Sequence, residues 1–169
     1  MTHSATTDFS TCDLCDVHKN DLTGAFRVLA PAFRDFGAVK KFSGPVFNVQ
    51  CFEDNSLVKA ALDTPGKGRV LVVGGGGSLR RALVGGNLGA AALANGWAGV
   101  VVDGCVRDVA ELAALQVGIR ALAAVPMPTE KRNQGQSNVA VHIQGTWVMP
   151  GEWLYADEDG MVVGAKALV

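Results

Sequence analysis

The chain has 169 residues, 49% of them hydrophobic, which is the size of one domain with enough apolar side chains for a sizeable core. A second domain is not expected. Its net charge of -1 and the scatter of its 15 Lys and Arg residues argue against the basic stripe of a nucleic-acid surface. No apolar stretch approaches a membrane span, and residues 1–8 lack a basic start followed by an apolar core, so a soluble, cytoplasmic protein is expected.

In chain order, residues 10–18 read as a helix opened by Ser10 or Thr11. This helix carries Cys12 and Cys15 at C-x-x-C spacing, which brings zinc and thiol redox chemistry into view. No second C-x-x-C, nearby His pair or surrounding βαβ pattern completes either site, and two small, half-buried packing residues are the simpler reading. A second short amphipathic piece is expected over 24–29, before Pro31. Over 45–52, Val46, Asn48 and Gln50 alternate with Phe47, Val49 and Cys51, the period of a strand. Asn55 and Ser56 are placed to cap a helix running to Leu62, closed by Pro65, Gly66 and Gly68. Glu53, Asp54 and Asn55 then read as turn and capping residues in preference to a ligand cluster.

Residues 69–73 form a β-branched run of the kind found in buried strands, broken by the glycines at 74–77. A nucleotide reading of that tract fails on its details. No Gly-Lys-[Ser/Thr] occurs anywhere, and a G-x-G-x-x-G pattern would need its third glycine at Leu79 or Arg80. A flexible turn with Arg80 or Arg81 near an anion is expected instead. A helix over 88–95 should end at Gly96, where positive φ is cheap. Residues 97–103 read as another buried strand, 108–115 as a helix and 119–125 as a strand. After a polar segment over 128–138, short strands are expected at 139–143, 146–149 and 161–163, with turns at Gly145, Pro150-Gly151 and Asp159-Gly160. This order gives a βαβα centre with β-rich ends. A parallel central sheet would bring the loops at 74–88 and 104–108 to one edge, where open α/β sheets bind ligands.

Those two loops hold the candidate site. Arg107 and Asp108 set a guanidinium beside a carboxylate at a strand's end, able to bind an anion and its metal ion together. In the segment 83–88, Gly85 and Gly86 precede a helix-like stretch whose free N–H groups favour negative charge. Taken alone, Arg107-Asp108 fits a helix start with an acidic first turn about equally well. His3, His18 and His142 lie far apart and read as structural or exposed. The lysines sit in polar or turn-like contexts, which does not favour a Schiff-base aldolase. Trp97, Trp147 and Trp153 read as packing residues or subunit-contact anchors.

Residues 69–88 run RVLVVGGGGSLRRALVGGNL, residues 95–108 run NGWAGVVVDGCVRD and residues 118–122 run GIRAL. With CFEDN at 51–55, LYAD at 154–157 and Asp159-Gly160, the chain resembles the family of the regulator of ribonuclease activity A over about 13–163. That family also holds the class II 4-hydroxy-4-methyl-2-oxoglutarate aldolases. The resemblance implies an α/β fold of the swivelling-domain type, a β/β/α sandwich around a central, mostly parallel sheet, assembled as a ring-shaped homotrimer with sites near subunit interfaces. It implies a metal-dependent lyase that splits 4-hydroxy-4-methyl-2-oxoglutarate into two pyruvates and decarboxylates oxaloacetate. The alternative it carries is a non-catalytic protein that binds and inhibits ribonuclease E without cutting RNA.

By the same resemblance, the amides of Gly85, Gly86, Asn87 and Leu88 hold the pyruvate carboxylate, Arg107 binds substrate and Asp108 binds the metal, Mg2+ or Mn2+. The expected chemistry is Lewis-acid catalysis, with Arg107 donating to the oxygen that becomes an enolate. Metal-bound water is the expected base for the 4-hydroxyl. The sequence departs from the aldolases at Gly86, where an acid commonly stands twenty-one positions before the arginine. It also lacks the C-terminal extension that supplies another acid in longer aldolases.

Overall fold

The structure, a computed structural model, describes residues 8–169; His3 lies outside the described residues. The helix α1 spans Thr11–His18, and Ser10 caps it, its side chain accepting from Asp13 N–H. The expected amphipathic piece at 24–29 is instead a strand, β1 (Phe26–Val28), paired antiparallel with the strand Gly160–Gly164 near the C-terminus. A three-residue piece gains more from pairing with a sheet edge than from one unsupported helical turn. β2 (Arg34–Asp35) comes next, then β3 (Phe42–Gln50), longer at its start than the expected strand.

α2 (Ser56–Leu62) begins where expected, but Asn55 makes no side-chain cap. Asp54 does so, its Oδ1 accepting from Ser56 N–H at 2.9 Å and Ser56 Oγ at 2.6 Å. The run at 69–73 gives β4 (Val70–Gly74), and a strand not anticipated from the sequence, β5 (Ala82–Val84), comes after the glycine tract. α3 (Gly86–Ala94) starts two residues earlier than expected and ends before Gly96, which takes φ +75°. β6 (Gly99–Val106) starts after Trp97 and runs on to the residue before Arg107. α4 (Val109–Ala114), β7 (Gly118–Ala124) and β8 (Gln136–Ser137) lead to a hairpin of β9 (Val141–Ile143) and β10 (Thr146–Val148). β11 (Trp153–Asp157) and β12 (Gly160–Gly164) complete the chain.

The main sheet has the order β1-β12-β11-β3-β4-β6-β7-β2. Its centre, β3-β4-β6-β7, is parallel, and the β11, β12, β1 and β2 pairings are antiparallel. Successive residues of β4 and β6 face opposite sides, and both sides are covered, which explains their unbroken apolar runs. On one side Leu71, Val73, Val100 and Val102 pack with Val58 and Leu62 of α2, Ala92 of α3 and Leu112 of α4. On the other, Val70, Val72 and Val101 meet Val141, Ile143 and Val148 of the hairpin and Leu154 and Val163 of β11 and β12. The molecule is therefore the expected helix, sheet and sheet sandwich. α1 lies outside it, with Leu14 packed near Tyr155 and Val162. No helix among the described residues is long and apolar enough to cross a membrane.

Candidate functional site

Two parallel strands that end together build the site. β4 leaves the side of β6 at the glycine tract, and β5 takes over that lane, with Ala82 opposite Cys105 and Val84 opposite Val106. Arg107 N–H then donates to Val84 O at 2.9 Å. The segments just beyond the two strands, Gly85-Gly86 and Arg107-Asp108, emerge side by side at the carboxyl edge of the parallel strands, where such sheets bind ligands. Within β6, pairing with β7 runs from Val102 opposite Ala121 to Cys105 opposite Ala123. The extra residue in β6 is a bulge, a device that bends a strand and re-aims the residues beyond it.

Asp108 takes the left-handed conformation, φ 57° and ψ 44°, a rare geometry for a residue with a Cβ. Its Oδ2 accepts from Gly86 N–H at 2.9 Å, tying the two chain ends together. This engages one of the four amides expected to face the ligand. The Asn87 and Leu88 N–H groups, also in the first turn of α3, have no acceptor among the described residues. They are the orphan donors of a helix start, where anions bind.

Gly85 and Gly86 leave room for the side chains that stand opposite them. A Cβ on Gly85 would lie 2.8 Å from Asp108 Oδ2, and one on Gly86 only 1.9 Å from Glu111 Oε2. The space that a side chain at 86 would enter is thus occupied by the Glu111 carboxylate, which comes from α4 three residues after Asp108. Asp108 stands just before α4 and Glu111 is its third residue, so both belong to the start of that helix. Glu111 was overlooked in the sequence, although an acid at i+3 from Asp108 was a legible signal.

Gly85, Gly86, Asn87, Leu88, Arg107 and Asp108 all line one cleft of about 220 Å³. Its remaining wall comes from Ala82, Pro128 and four polar residues that the sequence did not bring to the site: Asn55, Lys59, Thr129 and Lys131. Asn55 is buried, donates from Nδ2 to Leu83 O at 3.0 Å, and accepts at Oδ1 from Thr129 Oγ1 (2.8 Å) and Lys131 Nζ (2.9 Å). With Lys59 paired to Asp63, Arg107 and Lys131 against Asp108 leave a net positive charge along the cleft, suited to an acidic ligand.

The other candidates fall elsewhere. Arg80 is held by Glu53, at 2.6 and 3.0 Å, and Arg81 donates to Pro128 O. Cys12 is exposed and donates to Asp159, Cys15 is half-buried, and burial pushes the Cys51 thiol up to about 12. His18 stacks on Phe26, and His142 leans on the exposed Trp147. Trp97 is buried and donates to Thr64 O, as a packing residue would. Among the described residues no three His, Cys, Asp or Glu side chains converge as a metal cluster, so any ion here would keep several waters.

The family model described as RraA-like, Aldolase/RraA, matches residues 11–163. The chain belongs to the RraA-like family. A relative from Albidiferax ferrireducens, provisionally named a 4-hydroxy-4-methyl-2-oxoglutarate aldolase, is 68% identical over 97% of this chain and 99% of its own length. A Burkholderia mallei protein with the same provisional name is 57% identical over 95% of this chain and 98% of its own. Among solved structures, the RNA-processing inhibitor RraA from Thermus thermophilis is 42% identical, covers 96% of each chain and superimposes with a TM-score of 0.90. The RraA-like match takes in both loops of the cleft together with the 128–131 segment that closes it.

Proposed function

We propose that this RraA-like protein is a divalent-metal-dependent lyase that splits 4-hydroxy-4-methyl-2-oxoglutarate into two pyruvates and decarboxylates oxaloacetate. The observation that carries the reading is the meeting, in one cleft, of Arg107, the Asp108 carboxylate and the unpaired amides of α3, with the Glu111 carboxylate standing beside Gly86 at its edge. The names of its aldolase relatives support it.

The donor set fits a hard divalent ion. Asp108, just before α4, offers its free Oδ1, since Gly86 N–H holds only Oδ2, and the Glu111 carboxylate from the first turn of α4 stands beside Gly86. Magnesium or manganese takes such oxygen ligands and keeps waters in its remaining positions. When bound, the ion polarises the 2-oxo group of the substrate as a Lewis acid. The Asn87 and Leu88 amides bind the neighbouring carboxylate. Arg107 donates to the 2-oxo oxygen, whose negative charge grows as the C–C bond breaks and the enolate forms. For the aldol substrate, Glu111 orients the water that takes the 4-hydroxyl proton; the C3–C4 bond then breaks, releasing pyruvate and leaving pyruvate enolate. For oxaloacetate, CO2 leaves with no such base, giving the same enolate. Protonation at C3 completes pyruvate in both cases.

The test is pyruvate release from both substrates with magnesium or manganese, then with chelator, for the unsubstituted protein and Arg107→Ala. Turnover should depend on the metal, and the substitution should lower it by about 10²- to 10³-fold, the loss expected on removal of one preorganised donor. Equal turnover in the two proteins would exclude this site.

The Thermus thermophilis relative is named an RNA-processing inhibitor, which favours a second reading, that the protein binds and inhibits ribonuclease E. Absence of turnover under every condition, with tight ribonuclease E binding, would select it. In either role we propose a ring-shaped homotrimer.

A further inference from the structure

We infer that Lys131 is a specificity residue: its ammonium docks a second carboxylate, so that the cleft takes dicarboxylic 2-oxoacids over monocarboxylic ones. This rests on the 2-oxoacid reading of the same cleft.

The inference starts from Asn55. The residue is 9% exposed, and both ends of its side-chain amide are used. Nδ2 is fixed to Leu83 O, inside the strand that delivers Gly85 and Gly86, so Oδ1 is turned toward the 128–131 segment. There it accepts from Lys131 Nζ at 2.9 Å. A lysine on an exposed segment ordinarily wanders through many rotamers. Here a buried amide holds its head at the cleft.

Asn55 positions the ammonium without neutralising it. Arg80, Arg132 and Lys59 are each paired with a carboxylate, Glu53, Glu130 and Asp63 respectively. Among the described residues Lys131 has no carboxylate within ion-pair distance, only the amide oxygen. An ammonium has three protons to donate, so a charge with unused donors lines the same cleft as Arg107 and the α3 amides. The two groups of donors come from different elements: one from the ends of β5 and β6, the other from the 128–131 segment. A 2-oxo carboxylate occupies the first. The second has no task in binding pyruvate, which has a single carboxylate, and suits the distal carboxylate of a longer acid.

The distal carboxylate keeps its charge when the aldol bond breaks and loses it when oxaloacetate releases CO2. A cation that only docks it therefore contributes ground-state binding, which appears in KM and not in kcat. Steady-state kinetics of Lys131→Met with magnesium should show KM for oxaloacetate and for 4-hydroxy-4-methyl-2-oxoglutarate raised about tenfold or more, the worth of one charged hydrogen bond, with kcat undiminished. Exchange of the pyruvate methyl protons in deuterium oxide, which needs only the first subsite, should stay within about twofold of the unsubstituted rate. Lys131→Arg should restore most of the lost affinity.

Unchanged KM for both dicarboxylic acids, or an equal loss on pyruvate exchange, would overturn the inference while leaving the lyase reading in place. An unsubstituted protein that neither turns over these acids nor exchanges pyruvate protons would overturn both.

Discussion

Gly86 and Glu111 form a reciprocal pair: the residue without a side chain makes room for the carboxylate three residues after Asp108. A Cβ on Gly86 would meet the Oε2 end of that exposed, flexible side chain rather than backbone. Gly86→Ala should therefore displace Glu111 without disturbing the core. The melting temperature is expected to change by no more than about 2–4 °C, the effect of roughly 1 kcal/mol in a chain of this size, while kcat for the aldol substrate falls. Activity equal to the unsubstituted protein would show that Glu111 has no part in the chemistry. Gly85 faces a stiffer constraint, since its Cβ would press on both Asp108 and Arg107. The departure from the aldolase pattern at position 86 is thus matched in space by an acid from another element.

At the scale of elements, the N-terminus of α2 organises one wall of the cleft. Asp54 caps that helix with Oδ1 and accepts at Oδ2 from Arg132 N–H at 2.8 Å and Gln134 N–H at 3.2 Å. Burial by itself would raise its carboxyl, but hydrogen bonds from Ser56, Gln134 and Arg132 overcome this and lower its pKa to about 2. The unfolded chain holds an ordinary aspartate near 3.9. Because the folded value is the lower one, Asp54 stabilises the fold at neutral pH, and that stabilisation is lost as pH falls from about 4 through 2. Asp54→Ala should cost about 1–2 kcal/mol near pH 7 in chemical denaturation, and the gap to the unsubstituted protein should shrink in acid. A gap independent of pH would contradict this assignment. The helices and the long buried strands were legible because their apolar periodicity is local. β1, β2, β5 and β8 were not, since two or three residues carry no period and these pieces lack a hairpin turn such as the one at Gly145 that flags β9 and β10; they become strands only beside partners distant in the chain. β11 is long enough to show one. Its alternation of Leu154 and Ala156 against Tyr155 separates two cores, and apolar residues on both faces blur the usual signature.

For the whole molecule, the proposed trimer would need a surface, and several large apolar residues are exposed. Trp147 and Met149, at the end of the β9-β10 hairpin, are 54% and 46% exposed, and Phe52 and Leu79 are 58% and 59% exposed. Exposed apolar side chains mark an association surface where they join into one patch, whereas scattered ones are normal, so the trimer is to be tested directly. Light scattering should return three times the 17.6 kDa chain mass, and Trp147→Arg should shift the population toward smaller species. A monomer at assay concentration would remove the ring from the proposal while leaving the cleft within one chain intact.

The sequence by itself determined the buried parallel strands, the helices between them and the two loops at their carboxyl ends, because apolar runs, glycine breaks and helix starts are written in neighbouring residues. The strings around Gly85-Gly86 and Arg107-Asp108 also carried the family. Only the tertiary structure decided what faces what. It set Val84 beside Val106, so that the two loops became one site, and it put Glu111 into the space at Gly86. It turned Asn55 from a helix cap into the anchor of Lys131. Each of these depends on strand register and on contacts between distant segments, which local pattern does not encode.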